Sequence, residues 1–228
     1  MDLLDDHALT GSSVVANNAM NRERQLTGPN SYHRELGFEP AAWLEARLAR
    51  QPAVAWLDLC CGSGRALIQA GDLLGARATL VGVDLVDYFD PLPPDSPVSL
   101  ICAPVATWAP DRAFDLITCV HGLHYVGDKL DALVRIARWL GPDGRFMADL
   151  DLASIRLTDG SAAGRPLATA LRRCGFHYDS RRRRIELVGG REVTLAYEYV
   201  GADDRAGPNY TGQPAVDSYY RRAVRRST

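Results

Sequence analysis

The sequence predicts a doubly wound α/β fold with a mostly parallel sheet. Short apolar runs alternate along the chain with segments of helical periodicity. The first run, residues 54–57, reaches an acid and then a glycine turn that opens into a helix, and the next run, residues 78–84, also ends in an acid. Repeated strand, turn and helix are typical of parallel strands joined by helical crossovers. Ligands of such folds bind at the carboxyl ends of the strands.

Composition limits the classes of function. The chain has 228 residues, of which 46% are hydrophobic and 24% charged, which fits one soluble globular domain with terminal extensions. A net charge of −2 provides no general field for nucleic acid or an anionic membrane. No signal peptide or long apolar stretch is apparent, so we expect a cytoplasmic protein. The five cysteines are odd in number and lack a C-x-x-C pair, which favours reduced core thiols over disulfides or zinc.

The glycine turn lies in the segment LDLCCGSGRAL, residues 57–67. Glycine can adopt positive φ and lets the backbone approach a ligand closely, so a nucleotide-like cofactor is expected here. Leu67 stands where the third glycine of a dinucleotide fingerprint would fall. An NAD-dependent reductase is therefore disfavoured.

Asp58, Gly62 and Gly64 form the pattern D-x-x-x-G-x-G, which resembles motif I of the class I S-adenosylmethionine-dependent methyltransferases. Cys60 stands where this family usually has its first glycine. The resemblance implies the Rossmann-like class I methyltransferase fold, S-adenosyl-L-methionine as cofactor and S-adenosyl-L-homocysteine as product. It places all four residues at the cofactor. The alternative is an unrelated βα turn in another doubly wound protein.

Asp84 ends the second strand, twenty residues after Gly64. A carboxylate at this strand end can accept hydrogen bonds from ribose hydroxyls, and Asp84 also fits the family's motif II, which implies that role. The alternative is an acid that only caps the next turn. After the third strand the family often has an acid for the adenine amino group, whereas this chain has none there. We expect the backbone near Val105 and the side chain of Leu85 to meet the adenine.

Residues 1–38 are predicted to form an N-terminal arm. Residues 1–16 carry little pattern and are expected to be mobile, and residues 17–38 are polar with mixed charge. The second part is either a solvated arm or a lid over the cofactor, and the resemblance favours a lid. An arginine could pair with the cofactor carboxylate, and an aromatic face could meet its sulfonium. The candidates are Arg22, Arg24, Asn30 and Tyr32.

The remaining elements follow from periodicity and from residues that start or stop helices. Prolines in residues 88–98 predict a loop, and residues 185–200 predict an antiparallel hairpin turning at Gly189 and Gly190. The predicted domain spans residues 39–201, and the tail, residues 202–228, is either disordered or packed near the substrate entrance. Helices are predicted from Pro40, from Ala66 to Gly75, from Asp128 to Leu140 and from Pro166 to Gly175, and strands at residues 100–103, 114–120 and within 141–151.

The turn after the fourth strand reads HGLHY, residues 121–125. The topology places it opposite the cofactor's methyl group, so His121 and His124 are the catalytic candidates. A neutral imidazole can take a proton from a hydroxyl or ammonium nucleophile. The alternative is that one histidine is structural and the other shapes the pocket. No metal is expected, because the His-x-x-His pair lacks a third ligand at a plausible spacing.

The predicted function is transfer of a methyl group to a small-molecule acceptor by in-line displacement. The turn lacks the [N/D]-P-P-[Y/F] sequence of base- and glutamine-methylating relatives, and it resembles that of enzymes acting on metabolites and natural products. The alternative is a cofactor-binding protein of the same fold that does not methylate, with a regulatory, pericyclic or other role. The run Arg181–Arg184 is expected to be a solvated edge, because no aromatic stacking platform accompanies it. The sequence does not decide the oligomeric state.

Overall fold

The computed structural model describes residues 2–16 and 24–223, so the candidate Arg22 lies outside the described residues. A seven-stranded sheet has the order β3-β2-β1-β4-β5-β8-β7. Its first five strands are parallel, and β8 is antiparallel to both of its neighbours. The predicted doubly wound, mostly parallel sheet with an antiparallel hairpin is confirmed. The strands are β1 (Val54–Leu59), β2 (Ala78–Asp84), β3 (Val98–Cys102), β4 (Phe114–Cys119), β5 (Leu140–Asp149), β7 (His177–Asp179) and β8 (Arg184–Val188).

The helices begin and end close to the predicted residues. Pro40 occupies the first turn of its helix, and the side chain of Asp128 accepts a hydrogen bond from the backbone N–H of Asp131 at the start of the next long helix. Residues 85–97 contain no helix or strand, as predicted from their prolines. The helices are α1 (Asp6–Thr10), α2 (Tyr32–Leu36), α3 (Pro40–Leu48), α4 (Arg65–Leu74), α5 (Lys129–Trp139) and α6 (Gly164–Arg173).

Helices cover both faces of the sheet, which explains the near-continuous apolar strands. Successive side chains of a strand point to opposite faces, so Trp56 packs in the layer of α3 and α4 whereas Leu57 packs in the layer of α5 and α6. Both side chains are fully buried. Within the described ranges, no helix has the length and apolar character needed to cross a membrane.

A second sheet consists of β6 (Ile155–Leu157), β9 (Tyr197–Asp203) and β10 (Asp217–Arg222), in the order β6-β10-β9. The domain boundary predicted at residue 201 falls inside β9. The N-terminal segment packs on this sheet: Leu4 forms a bridge with Ala202, and Leu9 is buried against it. The expectation that residues 1–16 are mobile was wrong for the described part, because a single capped turn of helix presents this leucine to the sheet.

The hairpin predicted over residues 185–200 was wrong in its residues. The antiparallel hairpin is formed by β7 and β8, whereas β9 belongs to the second sheet. The backbone N–H of Gly190 donates to the carbonyl of Gly141 at 2.8 Å, and a Cβ at Gly190 would overlap the carbonyl of Leu140. These glycines therefore mark a close approach of two backbones, and not a two-residue turn.

The run Arg181–Arg184 is also not the solvated edge that the sequence predicts. It connects β7 to β8, and β8 has hydrogen-bonded neighbours on both sides. The guanidinium of Arg183 lies 4.2 Å from the centre of the Tyr210 ring, and that of Arg184 donates to the carbonyls of Glu35 and Leu36. Only part of this run faces solvent, because the arm and the β9–β10 loop pack against it.

Candidate functional site

A cavity of about 220 Å³ lies at the carboxyl ends of β1, β2 and β4. Seven of the nine residues predicted to bind the cofactor line it, together with both candidate catalytic histidines. A cavity at this place agrees with the rule that open α/β sheets bind ligands where the strand order reverses. The lining residues from the predicted set are Arg24, Tyr32, Cys60, Gly62, Asp84, Leu85, Val105, His121 and His124.

The loop after β1 combines three residues with positive φ. Gly62 and Gly64 have φ values of 61° and 77°, and Cys60 has a φ of 56°, in the left-handed region that favours glycine. Gly64 begins α4, and a Cβ there would lie 2.7 Å from the side chain of Leu100. Gly64 packs against Leu100 and does not line the cavity. Cys60 and Gly62 line it.

Asp58 lies beneath this loop and does not line the cavity. Its carboxylate is 1% exposed and accepts hydrogen bonds from Oγ1 of Thr118 at 2.6 Å and from the hydroxyl of Tyr32. Burial raises the pKa of Asp58 to about 7. The hydrogen bond from Tyr32 to Asp58 connects α2 to β1 and positions Tyr32 on the cavity wall. A direct contact of Asp58 with the cofactor stays a prediction, as it does for Gly64.

Asp84 joins the loops that follow β1 and β2. Its carboxylate accepts hydrogen bonds from the backbone N–H of Gly62 at 2.9 Å and of Val86 at 3.1 Å. Both interpretations of the sequence therefore have a structural counterpart: Asp84 caps the following turn, and it also faces the cavity beside Leu85. A carboxylate can accept about four hydrogen bonds, so these two contacts are compatible with further donors from a ribose.

The arm contributes Arg24 and Tyr32 to the cavity wall. Arg24 is 7% exposed, and its Nη1 atom lies 3.0 Å from Oε1 of Glu35, within α2. Asn30, the other arm candidate in the described region, does not line the cavity. The arm thus contributes two residues to the cavity wall, and its action as a lid stays a prediction.

His121 lies between two carboxylates. Its Nε2 atom is 3.3 Å from Oε2 of Glu35, its Nδ1 atom is 3.7 Å from Oδ2 of Asp149, and its backbone N–H donates to Asp149 at 3.1 Å. The hydrogen bond with His121 is the main cause that lowers the pKa of Glu35 to about 2, whereas burial raises the pKa of Asp149. A proton taken up by this imidazole would meet a carboxylate on either side.

His124 occupies a drier position one turn further on. It is 1% exposed, its ring stacks on His121 at 5.8 Å, and Tyr210 meets it edge-on at 5.4 Å. Burial lowers the pKa of His124 to about 3, so the ring is neutral at neutral pH. Its Nε2 atom is buried and has no hydrogen-bond partner among the described residues. A bound acceptor could supply that partner.

The opposite wall comes from two segments in which the sequence analysis named no candidate site residue. The N-terminal residues contribute Leu9 and Thr10, and the loop between β9 and β10 contributes Asn209, Thr211 and Gln213. Part of the predicted tail therefore packs at this cavity, and its place at a substrate entrance stays a prediction. The amide and hydroxyl groups of this wall lie in the same cavity lining as the apolar side chain of Leu9.

Sequence reasoning also missed Glu35 and Asp149. Asp149 is the last residue of β5, just as Asp84 is the last residue of β2, so its strand-end position was an available signal. Glu35 has no such signal, because an acid in a short polar helix usually faces solvent. Only the folding of α2 over the histidine turn brings it to His121.

Glu35, His121 and Asp149 each offer one ligand atom, and these atoms lie within 4.8 Å of one another. The sequence argument that no third ligand is near was therefore wrong, since two carboxylates come from distant segments. The charges nevertheless favour a proton over a divalent cation. Arg24 already pairs with Glu35, and the guanidinium of Arg184 donates to the backbone carbonyl of the same residue.

Comparisons with known proteins agree with this architecture. The family described as a methyltransferase domain matches residues 32–194. The chain is 28% identical over 188 residues to 2-phytyl-1,4-naphtoquinone methyltransferase of Synechococcus elongatus, and the match covers 75% of each chain. The crystal structure of magnesium protoporphyrin IX methyltransferase from Synechocystis PCC 6803 with bound SAM is similar in fold, with a TM-score of 0.52 and 16% identity. That similarity covers 83% of this chain and 99% of the other.

Proposed function

This chain belongs to the methyltransferase-domain family and is an S-adenosylmethionine-dependent methyltransferase, and we propose that its acceptor is a small molecule positioned at His121 and His124. One observation carries the proposal. A single cavity joins the loop of Gly62 and Asp84, which suits a nucleoside, to the pair of histidines, which suits proton transfer. The alternative of a cofactor-binding protein that does not methylate has no observation in its favour.

The size and enclosure of the cavity support a small acceptor. Its wall includes the arm, the N-terminal segment and the β9–β10 loop, which together leave about 220 Å³. A site of this kind suits a compact molecule better than a duplex or a folded protein. The relatives named above are methyltransferases for a naphthoquinone and a porphyrin, which are also small molecules.

The residues on the cofactor side have the following proposed roles. Asp84 accepts hydrogen bonds from the ribose hydroxyls, and Leu85 and Val105 cover the adenine. Cys60 and Gly62 present their backbone to the cofactor, and Arg24 lies on the side of its carboxylate. S-adenosylmethionine, when bound, supplies a methyl carbon that is already activated by its positive sulfur.

On the acceptor side, alignment is the main task, and correct alignment can contribute about 7 to 11 kcal/mol. We propose that His121 takes the proton of a hydroxyl or ammonium acceptor, while Glu35 and Asp149 hold its ring in place. His124 stays neutral and orients the acceptor through its unpartnered Nε2 atom. The two histidines then differ in role, because one contacts carboxylates and the other does not.

Calorimetric titration with S-adenosylmethionine and S-adenosylhomocysteine tests the proposed cofactor site. Asp84→Ala should weaken binding of both at least tenfold, because a hydrogen bond to a charged group contributes about 1.5 to 3 kcal/mol. Asp87→Ala is the matched control, since Asp87 is exposed and does not line the cavity. Unchanged affinity in Asp84→Ala would remove this carboxylate from the site. Formation of S-adenosylhomocysteine with an added acceptor separates methyl transfer from binding alone.

A further inference from the structure

A second cavity, of about 430 Å³, opens beside the first and has a different chemical character. The two cavities share Arg24, His121 and Thr211. An acceptor with its nucleophile at His121 can therefore extend into the second cavity without leaving the site. The residues that line the second cavity would then contact the part of the acceptor that is not methylated.

Four arginines line the second cavity, and we call them the arginine rim: Arg24, Arg34, Arg182 and Arg184. They come from the arm and from the β7–β8 connection, which are far apart in sequence. The carboxylates in the same lining are those of Glu35 and Asp149, so positive groups exceed negative ones by two. The whole chain has a net charge of −2, so this local excess is opposite in sign to the overall charge.

The contacts of these arginines show which of them are already paired with a carboxylate. Arg24 pairs with Glu35 at 3.0 Å, and Arg182 pairs with Asp179 at 2.9 Å. Arg34 and Arg184 donate only to backbone carbonyls, and no carboxylate of the described residues lies within 4.0 Å of either. These two guanidiniums thus carry positive charge that the described residues do not neutralise by direct contact.

Arg184 is held in place more firmly than a surface arginine. Its two terminal nitrogens donate to the carbonyls of Glu35 and Leu36, at the end of α2, and its Nε atom is buried without a partner among the described residues. An unsatisfied buried donor costs free energy that an acceptor oxygen would recover. The exposed guanidinium of Arg34, which donates to one backbone carbonyl, suits two-point recognition of carboxylate or phosphate oxygens.

The second cavity is in contact with the histidine turn. The ring of Tyr210, which lines this cavity together with the rim, meets His124 edge-on, so one aromatic side chain spans from the cavity to the histidine pair. We infer that the acceptor carries an anionic group, a carboxylate or a phosphate, which the arginine rim binds while the nucleophile lies at His121. This inference rests on the proposed function and adds the charge class of the substrate.

The test uses the full chain and three matched probes: benzoate, phenyl phosphate and the neutral benzamide. Binding of S-adenosylhomocysteine is measured first, and each probe is then titrated into the loaded protein by calorimetry. We expect at least one anion to bind at least tenfold more tightly than benzamide. Relative affinities of benzoate and phenyl phosphate then tell which anionic group the rim prefers.

Variants assign the binding to the rim. Arg184→Gln should weaken anion binding at least tenfold, and Arg34→Gln, an exposed position, provides a second variant that leaves the packing of α2 intact. Arg138→Gln is the control, because Arg138 is exposed and pairs with Glu192 outside both cavities. Thermal unfolding of each variant verifies that it is folded.

The outcomes separate the two proposals. If S-adenosylhomocysteine binds but benzamide binds as tightly as the anions, the inferred charge class is wrong while the proposed function stands. Anion binding that is unchanged in Arg34→Gln and in folded Arg184→Gln would likewise overturn the role of the rim. Failure of S-adenosylhomocysteine to bind would overturn the proposed cofactor site, and the inference with it.

Discussion

The two halves of the cavity are built in different ways. The half that we propose for the cofactor, the cofactor half, consists of short loops that directly follow β1, β2 and β3, and each loop contributes two or three neighbouring residues. The half that we propose for the acceptor, the acceptor half, combines the N-terminal segment, the arm, the histidine turn and the β9–β10 loop, which span most of the chain. Strand ends fix most of the first half, to which the arm adds Arg24, whereas the second half exists only after distant segments have packed together.

This difference has a consequence for chemistry. On the cofactor side the polar contacts are largely backbone groups and one carboxylate, as in the bonds from Gly62 and Val86 to Asp84. On the acceptor side they are side chains, and the histidine turn depends on Glu35 from a different element. Substitutions on the acceptor side should therefore change the rate of transfer and leave the affinity for the cofactor nearly unaltered.

His121→Ala provides the strongest test of this comparison. A general base contributes roughly 10² to 10⁴ in rate, so we expect kcat to fall at least a hundredfold, or about 2.7 kcal/mol, with the affinity for S-adenosylhomocysteine within twofold of wild type. The rate is measured as S-adenosylhomocysteine formed with an acceptor that the wild type methylates. His33→Ala is the control, since His33 lies exposed on α2 and lines neither cavity.

Glu35→Gln refines that test, because the amide keeps the shape of the side chain and removes its charge. We expect a loss of rate smaller than that of His121→Ala, because the ring loses one of the two carboxylates that hold it in place. A rate within threefold of wild type in His121→Ala would mean that the acceptor arrives without a proton to lose, as a free amine or carboxylate does. The turn would then only shape the pocket.

The same contrast explains how far the sequence predicts the site. Gly62 and Asp84 were predictable because a glycine turn and a strand-end acid are local patterns with a direct geometric meaning. Cys60 was predictable only through the family's motif. Glu35 was not predictable, because nothing local distinguishes it from a solvated acid on a short helix. Its role arises from tertiary packing of α2 over the histidine turn.

The misassigned hairpin shows the same limit in the prediction of the fold. The strands of the parallel sheet were identified to within a few residues, since each is an apolar run bounded by helices, turns or loops. The glycine pair Gly189 and Gly190 was misassigned as a hairpin turn, because a close backbone approach and a tight turn both require residues without a side chain. Distinguishing them needs knowledge of what packs alongside, here β5.

The dryness of the acceptor half can be measured through His124. Its folded pKa of about 3 lies below the ordinary value near 6.5, so the unfolded chain binds this proton first. Stability from this group is therefore present above about pH 6.5 and is lost as the pH falls toward 3. Between pH 7.5 and pH 5 we expect this group to contribute a loss of about 2 kcal/mol to the free energy of unfolding, while the raised pKa of Asp58 contributes in the opposite sense.

Urea denaturation of the wild type, His124→Gln and His177→Gln at these two pH values measures that loss. Over this interval the wild type should lose about 2 kcal/mol relative to His124→Gln, which has no imidazole to titrate, because the contribution of Asp58 cancels between the two proteins. His177 is exposed at the start of β7, so His177→Gln should keep the wild-type slope. Equal slopes in all three proteins would show that water reaches His124 and that the acceptor half is not dry.

The smallest expected effect concerns the backbone of the cofactor half. Cys60 has a φ of 56°, where a side chain is strained and glycine is not, so Cys60→Gly and Cys60→Ala should differ although both remove the sulfur. Relief of a left-handed conformation contributes about 1 kcal/mol, and we expect the glycine variant to be the more stable by that amount in urea denaturation. Its affinity for S-adenosylhomocysteine should stay within twofold of wild type, because the backbone already has the conformation of a glycine turn.

If the alanine variant is equally stable, the strain lies elsewhere in the loop. A glycine variant that binds more weakly would show instead that the Cys60 side chain, which packs beside Gly122 in the histidine turn, links the two halves of the site.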